Sequence, residues 1–101
     1  LLRHAFEEGD VQAGALLAIA LKRRGAWEEA LELWRRADAL EPRSAVCVEL
    51  AKYYEHRHRS YAEALAWAKK GVDLLPAEGA RPARREALLY RIERLERKLG
   101  G

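Results

Sequence analysis

Apolar residues recur at helical spacing along most of the chain, and the pattern is clearest close to its end. The steps there are four, three and four residues, which places the side chains in one stripe along a helix. The stripe comprises Leu88, Ile92, Leu95 and Leu99. Glycine, proline and capping residues separate further helical segments. The pattern predicts six helices, at residues 1–8, 11–24, 27–40, 45–57, 61–74 and 82–99.

Residues with a defined role at helix ends mark most of these boundaries. Asp10, Ser44 and Ser60 each precede a predicted helix, and their side-chain oxygens can accept a hydrogen bond from its first turn. Gly25 follows the second predicted helix, where a left-handed glycine commonly ends a helix. Pro42 closes the third, because the residue before a proline avoids helical geometry.

The chain also contains an internal repeat. Trp27 and Tyr61 are 34 residues apart, whereas Leu17 and Leu50 are 33 apart, so the second repeat holds one extra residue between them. We expect that residue in the turn at 57–60, because turns accommodate length changes. The matched positions are Leu17, Ala18, Leu21, Gly25, Trp27, Ala30, Leu31, Trp34, Ala37 and Pro42, then Leu50, Ala51, Tyr54, Tyr61, Ala64, Leu65, Ala68, Gly71 and Pro76.

Small residues at repeated positions indicate where helices approach each other closely. We expect large side chains to fill the layers between them, as in any close-packed helical core. The small residues are Ala18, Ala30, Ala37, Ala51, Ala64 and Gly71, and the large ones are Leu17, Trp34, Leu50, Tyr54 and Leu65.

These features resemble the tetratricopeptide repeat, a helix-turn-helix unit of 34 residues. The segments that carry the resemblance are LLAIALKRRGAWEEALELWRRADALEP and CVELAKYYEHRHRSYAEALAWAKKGVDLLP. The resemblance implies an all-α fold of antiparallel helical hairpins in a right-handed superhelix. It divides the chain into the end of a preceding unit (1–9), two repeats (10–42 and 43–76), and a loop with a C-terminal capping helix (77–101).

Four positions depart from the family pattern. Gly14, Cys47 and Ala68 stand where the family prefers an aromatic residue, and His58 lies near its usual turn glycine. These departures predict thinner packing. The second repeat is also similar to the C-terminal repeat region of bacterial proteins that carry a ribonuclease-H-like exonuclease domain upstream, a domain that these 101 residues do not include.

The tetratricopeptide resemblance implies a partner-binding groove on the first helix of each repeat. Apolar near one end and basic at the other, this face would suit an amphipathic or acidic peptide. The positions that correspond are Gln12, Ile19, Lys22, Arg23, Val48, Lys52, Glu55 and His56. The clamp that binds chaperone carboxyl termini is not expected, because the chain has no Asn and has Ile19 at one clamp position.

Composition limits the chemistry of the chain. With 19 Ala and 16 Leu against six β-branched residues, a sheet fold is excluded, and no apolar run is long enough to cross a bilayer. A single cysteine, Cys47, favours a reducing, cytoplasmic location. Cys47, His56 and His58 lack metal-site spacing. We expect no metal, no cofactor and no enzymatic activity.

Two functions remain open. We expect a non-catalytic protein-interaction scaffold, as a segment of a larger bacterial protein. The alternative is a nucleic-acid-associated accessory module of an exonuclease, with phosphate contacts from basic residues of the last helix, among them Arg91, Arg94 and Lys98. Because the chain begins without Met, we expect an open N-terminal edge at Leu1, Leu2 and Phe6 that promotes self-association.

Overall fold

The computed structural model describes residues 2–100, and within that range the chain is helical without strands. The predicted all-α class is therefore confirmed. Its helices are α1 (Leu2–Glu7), α2 (Val11–Arg23), α3 (Trp27–Leu40), α4 (Ser44–Lys52), α5 (Tyr61–Leu74) and α6 (Pro82–Gly100). A π turn (Tyr53–Arg57) continues α4, and a 3₁₀ turn (Pro76–Glu78) follows α5. Leu1 and Gly101, which the prediction included, lie outside the described residues.

The helices form two compact units, one up to Pro42 and one from Arg43 onward. In the N-terminal unit, α2 packs against both α1 and α3. In the C-terminal unit, α5 packs against both α4 and α6. Each unit is thus a helical hairpin with one additional helix, and the division falls at the proline that was expected to close the first repeat.

The small residues at repeated positions are buried as predicted. Ala18, Ala30, Ala37, Ala51 and Ala64 have no exposed surface. Gly71 is also buried. A Cβ added there would lie 3.1 Å from Leu88 Cδ1 and 3.2 Å from Cys47 Cβ, which is tighter than ordinary packing.

The large core residues follow the prediction in part. Trp34, Leu50 and Tyr54 are almost fully buried, whereas Leu17 and Leu65 are only partly buried. The apolar stripe of α6 ends early. Leu88 and Leu95 are buried and Ile92 packs against the same cluster as Leu88, whereas Leu99, near the end of the helix, is 49% exposed.

Phe6 fills the space that a glycine leaves in α2. A Cβ added to Gly14 would lie 2.6 Å from Phe6 Cε1, and the Arg36 guanidinium lies 4.7 Å from the centre of the same ring. Phe6 is 2% exposed, so the expectation that it lies on an open edge is wrong. The ring of Phe6 on α1 therefore lies over Gly14 of α2, while Leu2 remains 37% exposed.

The extra residue of the second repeat lies at the end of the first helix of its hairpin. The N-terminal unit closes its turn with a hydrogen bond from Ala26 N to Leu21 O, and the C-terminal unit closes it from Ser60 N to Tyr54 O, across one more residue. The π turn widens the helix there, as such turns do around an inserted residue. The extra residue therefore lies between Tyr54 and Ser60, a span that includes the predicted turn at 57–60.

Two of the three predicted caps differ from expectation. Asp10 accepts from Ala13 N at 3.0 Å, which confirms it as a cap. Ser44 is instead the first residue of α4, and its backbone N–H (2.7 Å) and hydroxyl (2.5 Å) both donate to Glu78. Ser60 holds the cap position, but its hydroxyl lies 3.4 Å from the Glu63 carboxylate and makes no capping bond to the backbone.

Within residues 2–100, no helix is both long and apolar enough to cross a membrane. The helices of each unit are held against one another by the packing of small residues and by side-chain contacts between helices.

The positive φ angles in the two hairpin turns predict that glycine is favoured at both positions. Gly25 and Arg59 both have positive φ, +82° and +59°, and a Cβ at Gly25 would meet no neighbour. A left-handed residue other than glycine costs about 1–2 kcal/mol, so Arg59→Gly should raise the free energy of unfolding by up to about 1 kcal/mol. Gly25→Ala should lower it by about 1 kcal/mol. Urea denaturation followed by circular dichroism measures both, and a destabilised Arg59→Gly would contradict the assignment.

The contact between Phe6 and Gly14 predicts coupling between these two positions. Gly14→Ala should lower the free energy of unfolding by about 1–3 kcal/mol, because its Cβ displaces the ring. In a Phe6→Ala background, where the ring is absent, the same substitution should cost less than about 0.5 kcal/mol. Equal costs of Gly14→Ala in both backgrounds, measured by urea denaturation, would show that the ring does not occupy this space.

Candidate functional site

The predicted partner-binding residues of the N-terminal unit lie along α2. Gln12 and Arg23 are exposed, while Ile19 and Lys22 are partly buried. The ammonium of Lys22 lies 6.0 Å from the centre of the Trp34 ring on α3, which restrains the lysine side chain. The turn end of α2 is therefore basic and open, with Lys22 resting against the second helix of the hairpin.

The corresponding residues of the C-terminal unit differ from one another in exposure. Lys52 and His56 are exposed, and Lys52 Nζ lies 3.7 Å from the Glu49 carboxylate. Val48 packs against the core formed by α4, α5 and α6. Glu55 is 2% exposed, so the expectation that it lies on an open face is wrong.

Glu55 is enclosed by three cations of α6. Arg91 Nη1 donates to Oε1 at 2.6 Å. Arg94 binds with both sides of its guanidinium, Nε to Oε2 at 3.0 Å and Nη2 to Oε1 at 2.8 Å. Lys98 Nζ lies 3.3 Å from Oε2. Both carboxylate oxygens therefore accept at least two charge-assisted hydrogen bonds, the strongest class of hydrogen bond in proteins.

The geometry of two elements creates this cluster. Arg91, Arg94 and Lys98 are three and four residues apart, so they lie on one face of α6. Glu55 lies in the π turn and occupies the position that Lys22 holds in the first repeat. Two features of the sequence indicated this cluster and were missed. Glutamate replaces lysine at the matched position of the second repeat, and three cations follow at helical spacing in α6.

The electrostatics of the cluster favour an ionised carboxylate. Burial by itself would raise the pKa of Glu55, but hydrogen bonds from Arg94, Lys98 and Arg91 outweigh it and lower the pKa from 4.5 to about 2. The hydrogen bond between Arg94 and Glu55 in turn raises the pKa of the Arg94 guanidinium. Glu55 is therefore a structural anion that fastens α6 to the end of α4.

Aromatic rings extend the contacts of the α6 cations. Lys98 Nζ lies 4.8 Å from the centre of the Tyr61 ring, and the Arg94 guanidinium lies 5.7 Å from that of Tyr90. Much of the basic face of α6 that was considered for phosphate contact is thus occupied within the C-terminal unit.

A second polar contact lies at the other end of this unit. Glu78 accepts from Ser44, while Arg84 Nη1 lies 3.1 Å from Ser44 Oγ and 3.8 Å from the Glu78 carboxylate. Burial would raise the pKa of Glu78, but hydrogen bonds from Ser44 and the charges of Arg84 and Arg81 lower it. This carboxylate takes the place of a local cap at the start of α4.

The residues considered for metal binding each make different contacts. Cys47 is buried against Gly71, and the His58 ring stacks on Tyr53 with ring centres 6.2 Å apart. His56 is exposed, with Nε2 3.8 Å from the Glu55 carboxylate. In the part of the chain that the structure describes, no three His, Cys, Asp or Glu side chains are grouped so as to hold a metal.

The chain is 35% identical over 101 residues to the uncharacterized protein YprB of Bacillus subtilis. The alignment covers 97% of this chain and 24% of YprB, so the chain spans about a quarter of that relative's length. No family model matches the chain. No solved structure matches it either.

The low pKa of Glu55 predicts an acid-sensitive C-terminal unit. Because this pKa is lowered on folding, its contribution is complete above pH 4.5 and is lost as the pH falls toward 2. The shift corresponds to about 3 kcal/mol. Glu55→Gln should lower the free energy of unfolding at pH 7 by about 3–5 kcal/mol, because three cations lose their partner. Urea denaturation from pH 7 to pH 2 measures both effects.

Glu96→Gln is the matched control, because its carboxylate is on α6 but exposed, 3.6 Å from Lys69. It should cost less than about 1 kcal/mol and keep the acid dependence of the parent chain. Some acid dependence should persist in Glu55→Gln through Glu78. An unchanged loss of stability below pH 4.5 in Glu55→Gln would contradict the role of Glu55.

Proposed function

We propose that this chain is a non-catalytic protein-interaction module built from tetratricopeptide-like hairpins, and that it binds an acidic segment of a partner protein. The hairpins would stack in the right-handed superhelix of that family. The observation that carries the proposal is an exposed cluster of cations at one equivalent place in each unit, the turn end of the first hairpin helix.

The two clusters have the same position but different residues. In the N-terminal unit, α2 ends with Arg23 and is followed by Arg24, both exposed. In the C-terminal unit, Lys52 ends α4 and Arg57 follows in the π turn, and both are exposed, as is the neighbouring imidazole of His56. Cations at a helix C-terminus are favoured by the helix dipole, and their exposure leaves them accessible to an anionic partner.

The packing of each unit supports a scaffold role. Fully buried alanines bring the hairpin helices close together, so that the first helix is held rigidly while its outer residues remain accessible. The similarity to one quarter of YprB supports a module that works within a longer protein. The proposal includes a cytoplasmic location, for which the buried Cys47 thiol is the support.

The nucleic-acid alternative draws less support from the structure than from the sequence. It depended on the basic residues of α6, and three of these, Arg91, Arg94 and Lys98, bind Glu55. We therefore place it second and use it as an outcome of the same experiment.

The proposal predicts charge-dependent binding of acidic peptides. A fluorescein-labelled amphipathic peptide of Glu and Leu should bind the 101-residue chain with a fluorescence anisotropy change that weakens as salt is raised. Reversal of the N-terminal cluster, Arg23→Glu with Arg24→Glu, should raise Kd at least about tenfold, or about 1.4 kcal/mol. Lys52→Glu should weaken binding in the same direction.

The control variant changes net charge equally at other exposed cations. Arg3→Glu with Lys69→Glu alters two residues of α1 and α5 that are both more than half exposed. It should bind the peptide within about twofold of the parent chain. Equal losses in both double variants would overturn the assigned face. Tighter binding of a labelled single- or double-stranded oligonucleotide than of the peptide would favour the alternative function.

A further inference from the structure

The outer face of α6 carries exposed apolar surface that the core of the C-terminal unit does not use. Leu89 and Tyr90 are 38% and 61% exposed, whereas their neighbour Leu88 is buried against α5. Arg85 and Glu93 line the same open depression of the α6 surface as these two residues. We define the α6 outer face as Pro82, Arg85, Glu86, Leu89, Tyr90 and Glu93.

The charges on this face are arranged symmetrically about Leu89. Arg85 lies four residues before Leu89 and Glu93 four residues after it, so the three side chains form one ridge of the helix. A positive and a negative charge at equal distances on either side of an apolar residue match their own copy when two such helices run antiparallel. Arg85 of each helix then meets Glu93 of the other, whose exposed carboxylate also accepts a hydrogen bond from Arg97 at 2.9 Å.

We propose that the α6 outer face binds a second copy of the same face, giving an antiparallel homodimer centred on Leu89. The contact is isologous, so each favourable pair occurs twice. Leu89 packs against its own copy at the twofold axis, and Tyr90 covers its flank. The self-association expected at the N-terminal edge thereby moves to the other end of the chain, since Phe6 is buried.

The charge pattern also selects the register. Sliding the pair by one residue, so that Leu89 meets Tyr90, places Glu86 opposite Glu93 on both sides. Like charges in direct contact are unfavourable, whereas the register centred on Leu89 brings together opposite charges. A single helix face is a small interface, so the dimer should be weak, with Kd of about 10–100 µM.

Sedimentation equilibrium of the 101-residue chain tests the proposal, from about 5 µM to about 500 µM. The weight-average mass should rise from 11.5 kDa toward twice that value. Arg85→Glu and Glu93→Arg should each raise the dimer Kd at least about tenfold. The double variant Arg85→Glu with Glu93→Arg should restore it to within about threefold of the parent value.

Charge rescue separates a specific contact from general charge effects. Arg3→Glu on α1 makes the same charge change as Arg85→Glu and should leave the dimer Kd unchanged. Circular dichroism of each variant shows whether it remains folded, as expected for residues on an exposed face. Failure of the double variant to restore association, or a monomer at all concentrations, would overturn the proposal.

Covalent trapping gives a second, independent readout. Leu89→Cys places a thiol at the proposed axis, and mild oxidation should yield a disulfide-linked dimer at a yield that depends on Arg85 and Glu93. Leu16→Cys is the matched control, because Leu16 is 49% exposed on α2 of the N-terminal unit. Equal cross-linking of the two variants would show random collision rather than a defined interface.

Discussion

The buried carboxylate of Glu55 holds the C-terminal unit together, because it is the point at which the end of α4 and the length of α6 are joined. Burial of an ionised carboxylate is unfavourable unless its oxygens are paired, and here Arg91, Arg94 and Lys98 supply the hydrogen bonds. The pairing fixes the rotation of α6 about its own axis. The apolar residues Leu88 and Leu95 then face inward and are buried, while Leu89 and Tyr90 remain exposed.

The π turn makes this contact available. It accommodates the extra residue of the second repeat and contains Glu55, which is buried there although the equivalent Lys22 of the first repeat remains partly exposed. The buried rings of Tyr53 and Tyr54 pack edge to face with centres 5.2 Å apart and support the widened turn.

Two groups of charged residues in the chain have different consequences. Glu55 and Glu78 are largely buried carboxylates that position helices, and both have lowered pKa values because their partners outweigh the cost of burial. The cations at the turn ends of α2 and α4 remain exposed. The proposed interaction site uses this second group alone, which is why it is smaller than the face that the repeat resemblance implied.

The sequence by itself determined the helices, most of their ends and the small residues between them, because periodicity, caps and turn residues act over a few neighbouring positions. Val11–Arg23, Trp27–Leu40 and Tyr61–Leu74 lie within a residue of their predicted bounds. Only the tertiary structure decided which side chains meet across longer separations. Glu55 and its partners are 36, 39 and 43 residues apart, and Ser44 and Glu78 are 34 apart. Such pairs depend on how each helix is rotated against its neighbour, which local pattern does not specify.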